Sequence, residues 1–212
     1  MKKALLVTAA LAVALSFAPT AAEAHGKVVT IGTHAAGNAI PWWGASYNSC
    51  RFQCLWLKSD INTAGYINVV EFEKSSSTAG TFNDVRVWLC HTTKTALEST
   101  FNNNYTGKTP VQVRTGGNLT LTGSGYFDIG ITPNSFNYNN SDNLLMEVRW
   151  NGDSGATCSC YRSAQPLSRV YAWSHTATSG SVQNTGQCIR LHIGTMTGLT
   201  PTSLGRVKTL FR

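Results

Sequence analysis

The clearest alternation of hydrophobic and polar positions in this chain lies between residues 84 and 95, in the stretch DVRVWLCHTTKT. Val85, Val87 and Leu89 fall on one face of a predicted strand, because successive side chains point to opposite faces of a sheet. The polar residues from His91 to Thr95 then carry the chain out of the sheet. The pattern predicts a two-faced strand followed by a polar loop.

Similar short alternating runs recur between residues 27 and 193, separated by Gly, Pro, Asn and Ser residues that favour turns. About ten strands can be assigned in this way, and no stretch shows a long helical period. Short strands at regular spacing are typical of antiparallel all-β proteins. The pattern therefore predicts an all-β fold, an antiparallel β-sandwich of jelly-roll type.

Residues 1–24 combine a basic start, an apolar run and the small-x-small sequence Ala22-Glu23-Ala24. This order is typical of a secretory signal peptide, the alternative being an uncleaved membrane anchor. Cleavage after Ala24 makes His25 the first residue of a β-sandwich domain at 25–194. No second apolar run reaches membrane length, so we expect no membrane span after cleavage and a protein that is secreted or lies at the cell surface.

Residues 195–212 break the strand pattern, with Thr200-Pro201-Thr202-Ser203 typical of a linker that ends in a helix cap. Apolar residues then recur at helical spacing, with basic residues between them: Leu204, Val207, Leu210 and Phe211, and Arg206, Lys208 and Arg212. We predict a linker followed by a short basic helical tail. The tail either docks on the domain as a frayed end or serves as a sorting or anchoring signal.

The composition narrows the class of partner. Only 13% of the residues are charged, and the formal net charge is +7. Apart from the tail, the basic residues are scattered, whereas a nucleic-acid footprint needs them clustered on one face, so nucleic acid is excluded as a partner. A diffuse positive charge favours solubility or attraction to acidic polymers of the cell surface.

The chain contains an even number of cysteines, all beyond the predicted signal peptide: Cys50, Cys54, Cys90, Cys158, Cys160 and Cys188. In an exported chain this predicts disulfides, with 15 possible connectivities among six cysteines. A zinc site is the rival interpretation, but no Cys-x-x-Cys spacing is present.

The spacing of the cysteines also favours certain partners. On one strand, Cys50 and Cys54 are about 13 Å apart and cannot bond each other. Cys158 and Cys160 also share one strand face, so we favour a staple between these two pairs on neighbouring strands. That leaves Cys90 with Cys188 by subtraction.

Three segments of the chain carry a family resemblance. They are the strand and exit at 84–95 with its HTTKT motif, the run FNYNNSDNLL at 136–145, and Ile31-Gly32-Thr33 with the loop around Tyr47. In this order and spacing, from about Val28 to Ile193, the chain resembles β-sandwich domains of secreted and cell-surface proteins of Bacteroidota and related bacteria.

The resemblance implies an extracellular, non-catalytic module for adhesion, matrix assembly or carbohydrate contact. Its expected partners are polysaccharide or protein of the cell surface or matrix, and the family has no established catalytic residues to carry over. This chain departs from the family in its six cysteines and in standing alone. We therefore expect a small stable subunit, with assembly into copies of itself as one mode of action.

A second resemblance covers only the predicted mature N-terminus. The His25-Gly26 start resembles bacterial lytic polysaccharide monooxygenases, whose first histidine binds copper through its amino group and ring. His91 is then the expected second copper ligand, with His175 or His192 behind it, since copper suits nitrogen ligands. The alternative is that His91, lying in the strand exit, hydrogen-bonds the turn.

Trp42, Trp43 and Tyr47 form the candidate binding surface, because exposed aromatic rings stack well on sugars. The alternative is that one tryptophan plugs the end of the sandwich. No two acidic residues have a spacing that places them across a cleft, and the oxygen-rich loop Asn139–Asn143 lacks the spacing of a calcium loop. We therefore predict a non-catalytic binding or self-assembling protein without a cofactor, copper-dependent oxidation of polysaccharide being the alternative.

Overall fold

The computed structural model describes residues 26–194 except residues 78 and 132, and it does not describe the side chains of residues 77 and 167. The predicted signal peptide, His25 and the predicted helical tail at 195–212 lie outside the described residues.

The described residues form fourteen strands and two short helices. The first strands are β1 Lys27–Ile31, β2 Ala36–Trp43, β3 Ser49–Trp56, β4 Gly65–Ser77, β5 Gly80–Phe82, β6 Arg86–Thr92 and β7 Val111–Thr115. The others are β8 Leu119–Leu121, β9 Tyr126–Asp128, β10 Phe136–Tyr138, β11 Asn143–Asn151, β12 Thr157–Ala172, β13 Ser181–Gln187 and β14 Ile189–Gly194. The helix α1 is Lys58–Ile61, and a 3-10 helix spans Phe101–Tyr105.

Twelve of the strands form one sheet whose central order is β1-β14-β4-β12-β3-β11-β6-β7. The strands β9 and β10 pair with β4, the strands β2 and β13 pair with β12, and β5 pairs with β8 in a separate small sheet. Every one of these pairings is antiparallel. The large sheet is strongly curled into a half-barrel.

The all-β, antiparallel prediction is confirmed, but the chain forms more strands than the alternation indicated. The three-residue strands β5, β8, β9 and β10 are too short to show a period of two. The strands β4 and β12 have 13 and 16 residues and continue through polar stretches that resemble loops in the sequence. A long strand can follow the curl of the sheet and pair with different neighbours at its two ends.

The curled sheet encloses a core of large aromatic side chains, among them Trp42, Trp56, Phe72 and Trp150, each fully buried. The indole nitrogens of Trp56 and Trp150 donate to backbone oxygens of Gln187 and Pro41 at 3.0 and 2.8 Å. A smaller cluster comprises Leu55, Cys90, Leu97, Phe101, Leu145 and Val170. It lies on the opposite face, because Leu55 and Leu145 alternate with core residues along β3 and β11.

The predicted disulfides are not formed in this structure: all six cysteines are buried free thiols. β3 and β12 are neighbours as expected, but their register pairs Cys54 with Arg169, near the far end of β12. Cys158 and Cys160 lie at the other end of that long strand, opposite β2 and β4. The predicted disulfides between the cysteine pair of β3 and the cysteine pair of β12 were therefore wrong. β3 and β12 are neighbours, but β3 pairs with the end of β12 that is far from Cys158 and Cys160.

A buried polar network on the outer face of the sheet is centred on Glu147, which is 1% exposed. Arg51 donates from Nε to Oε1 at 3.1 Å and from Nη2 to Oε2 at 3.0 Å. Gln53 Nε2 and the Tyr105 hydroxyl each donate to Oε2 at 2.6 Å, and Arg149 donates to Oε1. A buried carboxylate with this many donors has its charge paired and its lone pairs satisfied.

The same network holds two connections against the sheet. Arg51 donates from Nη1 to the backbone oxygen of Ala177 at 2.7 Å, which fixes the loop after β12. Gln53 donates to the backbone oxygen of Phe101 at 3.2 Å and accepts from Asn104 Nδ2 at 2.9 Å, which fixes the 3-10 helix. The polar loop that leaves β6 is therefore folded back over the sheet.

Replacing Glu147 by Gln tests how far the fold depends on this network. The substitution leaves Arg51 buried without a full counter-charge, so we expect the free energy of unfolding to fall by about 3–5 kcal/mol. Urea denaturation followed by tryptophan fluorescence measures the change.

The matched control is Asp84→Asn, which removes a carboxylate from the Asp84–Arg86 pair, whose side chains are 41% and 48% exposed. An exposed pair contributes at most about 1 kcal/mol, so this variant should unfold close to the wild type. An equally small effect at Glu147 would contradict the assigned role of the network.

Candidate functional site

Four connections meet at one end of the curled sheet. The backbone of Gly152 donates to Asn48 at 2.7 Å, and Asn151 donates to Asn83 at 3.1 Å. The amide of His175 donates to the Ser49 hydroxyl at 3.4 Å, which joins the loop after β12 to the start of β3. These bonds hold the loops between β2 and β3, before β6, after β11 and after β12 together.

Four rings form an aromatic cluster at this end: Trp43, Tyr47, Tyr171 and Trp173. Tyr47 and Trp173 stack face to face, with centroids 4.0 Å apart and planes 3° from parallel. Trp43 meets both of them edge to face, at 5.5 and 6.0 Å, and Tyr171 meets Trp173 at 5.4 Å. Because each ring touches another, the aromatic cluster holds its geometry without a ligand.

Trp43 is the exposed member of the aromatic cluster. Its exposed fraction is 39%, whereas Tyr47, Tyr171 and Trp173 are partly buried and all three lie against the core. An exposed aromatic ring that its neighbours hold in place offers a flat apolar surface on which a ligand can stack. The ring of Trp43 is therefore the best candidate contact surface in the described part of the chain.

The structure separates the tryptophans that the sequence placed together. Trp42 is fully buried and packs edge to face on Phe72 and Phe82. It therefore fills space in the core, in line with the alternative that one of the two tryptophans is a core residue. Trp43 points to the other face because neighbouring strand residues alternate. The aromatic cluster thus keeps Trp43 and Tyr47, lacks Trp42, and also contains Tyr171 and Trp173.

The sequence predicts a strand from Val170 to Trp173 but does not identify Trp173 as a binding residue. A signal was present: Tyr171 and Trp173 are two residues apart, which places two aromatic rings on one face of a strand. Only the register of β12 against β3, with Tyr171 opposite Phe52, brings this pair next to Tyr47.

A small cavity of about 120 Å³ opens near the same loops. It is lined by Asp84, Arg86, Trp88, Arg149, Trp150, Asn151 and His175. The Arg149 guanidinium lies 4.9 Å from the centre of the Trp88 ring, and Asp84 accepts from Arg86 at 3.0 Å. The cavity has the volume of about four water molecules and offers charged hydrogen-bonding groups to a polar ligand.

His91 has a structural role in the turn rather than an open position. Its Nε2 accepts a hydrogen bond from the backbone amide of Asn139 at 3.2 Å. Its ring lies over Phe136 and Tyr138, with centroids 4.7 and 5.9 Å away. Nε2 must be unprotonated to accept this bond. The contacts of His91 in the structure are therefore those of the alternative interpretation, in which His91 hydrogen-bonds the turn.

The other histidines named as copper ligands lie elsewhere. His192 Nε2 is 2.8 Å from Glu71 Oε2 in the sheet, and His175 lies in the loop after β12. Burial raises the pKa of the Glu71 carboxyl, but hydrogen bonds from Arg190 and His192 outweigh it and hold the pKa below its usual value. Within residues 26–194 as described, no three His, Cys, Asp or Glu side chains are grouped so as to hold a metal ion.

The loop Asn139–Asn143 is organised by hydrogen bonds of the Asn139 side chain. Asn139 Oδ1 accepts from the amides of Ser141 and Asp142 at 2.8 and 3.0 Å, and Asn139 Nδ2 donates to Asp142 Oδ2 at 3.0 Å. These are the bonds of an Asx turn, which places an asparagine side chain where a backbone group would otherwise be. The side chain of Asn139 therefore closes this loop as a turn.

Comparison with protein-family models, with curated proteins and with solved structures finds no match for this chain. Among the described residues, no helix has the length and apolar character needed to cross a membrane.

The hydrogen bond of His91 predicts a pH dependence of stability. Burial lowers the pKa of His91 below its ordinary value of 6.5, so the unfolded chain takes up the proton first as the pH falls. Stability is therefore present above about pH 6.5 and is lost as the pH falls towards the lower pKa of the folded state. The free energy of unfolding, measured by urea denaturation between about pH 7.5 and 5.5, should decrease.

In His91→Gln this decrease should become shallower, because the titrating ring is gone. An NMR titration of the wild type should place the midpoint of the His91 ring below 6.5. A midpoint above that value, or an unchanged slope in the variant, would show that the ring does not accept the Asn139 amide.

Proposed function

We propose that this protein is a secreted, non-catalytic binding module that attaches to polysaccharide outside the cell through the aromatic cluster. The observation that supports this proposal most strongly is the exposed ring of Trp43, 39% accessible and held by contacts to Tyr47 and Trp173. The C–H faces of sugar rings stack on such surfaces, and the hydroxyl groups of the sugar remain free for hydrogen bonds.

The rigidity of the aromatic cluster favours binding. An aromatic side chain has few rotatable bonds, and contacts to its neighbours restrict it before the ligand arrives. Tyr47 and Trp173 lie at the ends of loops that are tied to the sheet through Ser49 and Ala177. A ligand that stacks on Trp43 therefore loses little affinity to the ordering of the site.

The charge of the protein supports acidic or neutral glycans over strongly basic partners. The formal net charge of +7 attracts anionic polymers, and Arg86 and Arg149 line the cavity near the loops of the aromatic cluster. In the same cavity, Asp84 can accept hydrogen bonds from hydroxyl groups, and Asn151 can accept or donate them. The aromatic cluster would stack on the sugar rings, and the polar residues of the cavity would orient the sugar through hydrogen bonds to its hydroxyl groups.

The proposal also includes a location outside the cell and a jelly-roll-like β-sandwich fold. The resemblance to β-sandwich, jelly-roll-like surface domains of Bacteroidota rests on segments that include 84–95 and 136–145. In the structure these two segments meet where His91 accepts from Asn139, and they lie on antiparallel strands. We infer an exported module at the cell exterior, with wall polysaccharide as the main partner and protein or further copies of the chain as others.

Retention on insoluble glycans tests the proposal. The secreted protein is mixed with cellulose, chitin and purified bacterial cell wall, and the unbound fraction is measured over a range of glycan concentrations. We expect retention on at least one glycan and a loss of about tenfold or more in affinity for Trp43→Ala and for Trp173→Ala, since one tenfold step is about 1.4 kcal/mol. Trp43→Phe should keep part of the affinity, because a smaller ring still stacks.

Tyr66→Ala is the matched control, a partly buried aromatic on β4 outside the aromatic cluster, and it should bind like the wild type. Circular dichroism confirms that each variant is folded. Equal retention of the Trp43 and Tyr66 variants would contradict the proposed site. Large assemblies by light scattering without glycan retention would replace glycan binding with self-assembly as the function.

A further inference from the structure

Two cysteines of β12 lie unusually close together. The sulfurs of Cys158 and Cys160 are 3.7 Å apart, and both residues are fully buried. In a regular strand, side chains two residues apart share a face at about 6.5–7 Å. The shorter separation coincides with an irregularity in the pairing with β2, where Cys158 lies opposite Trp42 and Cys160 lies opposite Asn38.

The pairing with β4 is also irregular at this point, shifting between Ser159 and Cys160. A β-bulge bends the strand and re-aims the neighbouring side chains. The extra residues lie on β2 and β4, so these two neighbours are irregular beside the place where the two thiols approach each other.

We propose that Cys158 and Cys160 form a disulfide with each other, which links two cysteines of β12 separated only by Ser159. The oxidant is a small-molecule disulfide or a thiol–disulfide oxidoreductase of the compartment in which the chain folds. This pairing differs from the staple to Cys50 and Cys54 that the sequence favoured.

The remaining cysteines have other neighbours. Cys54 Sγ accepts from the Gln187 amide at 3.3 Å, Cys188 Sγ lies 3.4 Å from the Ser163 hydroxyl, and Cys90 Sγ donates to the His91 backbone oxygen at 3.2 Å. Cys188 is near enough to Cys54 and Cys160 to raise the pKa of both thiols, but among the described residues the sulfurs found within 4 Å of each other are those of Cys158 and Cys160. The geometry thus selects one pairing among the 15 that six cysteines allow.

The two thiols are unequal, which assigns the order of the reaction. The hydrogen bond from Cys160 lowers the pKa of the Cys158 thiol against the effect of burial, and the positive charge of Lys74 acts in the same direction. The thiolate is the attacking species in thiol–disulfide exchange. Cys158 is therefore the first nucleophile.

With oxidised glutathione, the Cys158 thiolate attacks one sulfur, forms a mixed disulfide and releases one glutathione thiolate. The Cys160 thiolate then attacks the sulfur of Cys158 and releases the second glutathione. Two protein thiols are oxidised, one glutathione disulfide is reduced to two thiols, and the two protons pass to the released thiolates.

Burial determines when this reaction is fast. Cys158 lies opposite Trp42 on one side and Ser77 on the other, so both sulfurs are covered once β2 and β4 have paired with β12. We expect oxidation during refolding to be at least about tenfold faster than oxidation of the folded, reduced protein.

Peptide mapping of the full chain provides the test. The protein is refolded with a mixture of reduced and oxidised glutathione, unfolded and alkylated without reduction, and cleaved with trypsin. Cleavage after Arg149 and Arg162 gives the peptide Trp150–Arg162, which contains Cys158 and Cys160 and no other cysteine. We expect this peptide to be unalkylated and lighter by two hydrogen atoms, while the other four cysteines are alkylated.

Cys90→Ser is the matched control, and its peptide Trp150–Arg162 should remain closed. In Cys158→Ser the remaining Cys160 should be alkylated. The proposal is overturned if the wild-type peptide is found alkylated at both cysteines, or if it is joined to a peptide that contains Cys50, Cys54 or Cys188.

Discussion

The buried ion pair between Glu147 and Arg51 is the interaction on which the rest of this structure depends. It lies on adjacent central strands, where Glu147 accepts from both arginine nitrogens and from Gln53 and Tyr105. A buried carboxylate without these donors would be strongly destabilising. The same arginine holds the backbone of Ala177, so the charge pair also fixes the loop that follows Trp173.

This arrangement links the inside of the sheet to its surface. Arg51 donates to the backbone oxygen of Ala177 in the loop after β12, and Ser49 accepts from the backbone amide of His175 in the same loop. Trp173, the first residue after β12, stacks on Tyr47. That stack in turn supports the exposed ring of Trp43. A binding surface built from fixed rings needs this support, because loops without contacts to the scaffold lose affinity to disorder.

Local pattern was sufficient for much of the fold and for part of the candidate site. The alternation around Val87 and the alternative in which His91 hydrogen-bonds the turn depend on neighbouring residues, and the structure agrees with both. The partners of Glu147 and the approach of Trp173 to Tyr47 depend on strand register, which a single sequence does not show. The pairing of the cysteines failed for the same reason, since β12 changes its neighbours along its length.

The most direct test of the account is an NMR titration with a soluble oligosaccharide from the glycan that retains the protein. The chain has six tryptophans, each with one indole N–H signal in a ¹H–¹⁵N spectrum. We predict that the signals of Trp43 and Trp173 shift with increasing ligand, while those of the buried Trp42, Trp56 and Trp150 stay in place. Shifts confined to Trp88, or no shift in any indole, would contradict binding through the aromatic cluster.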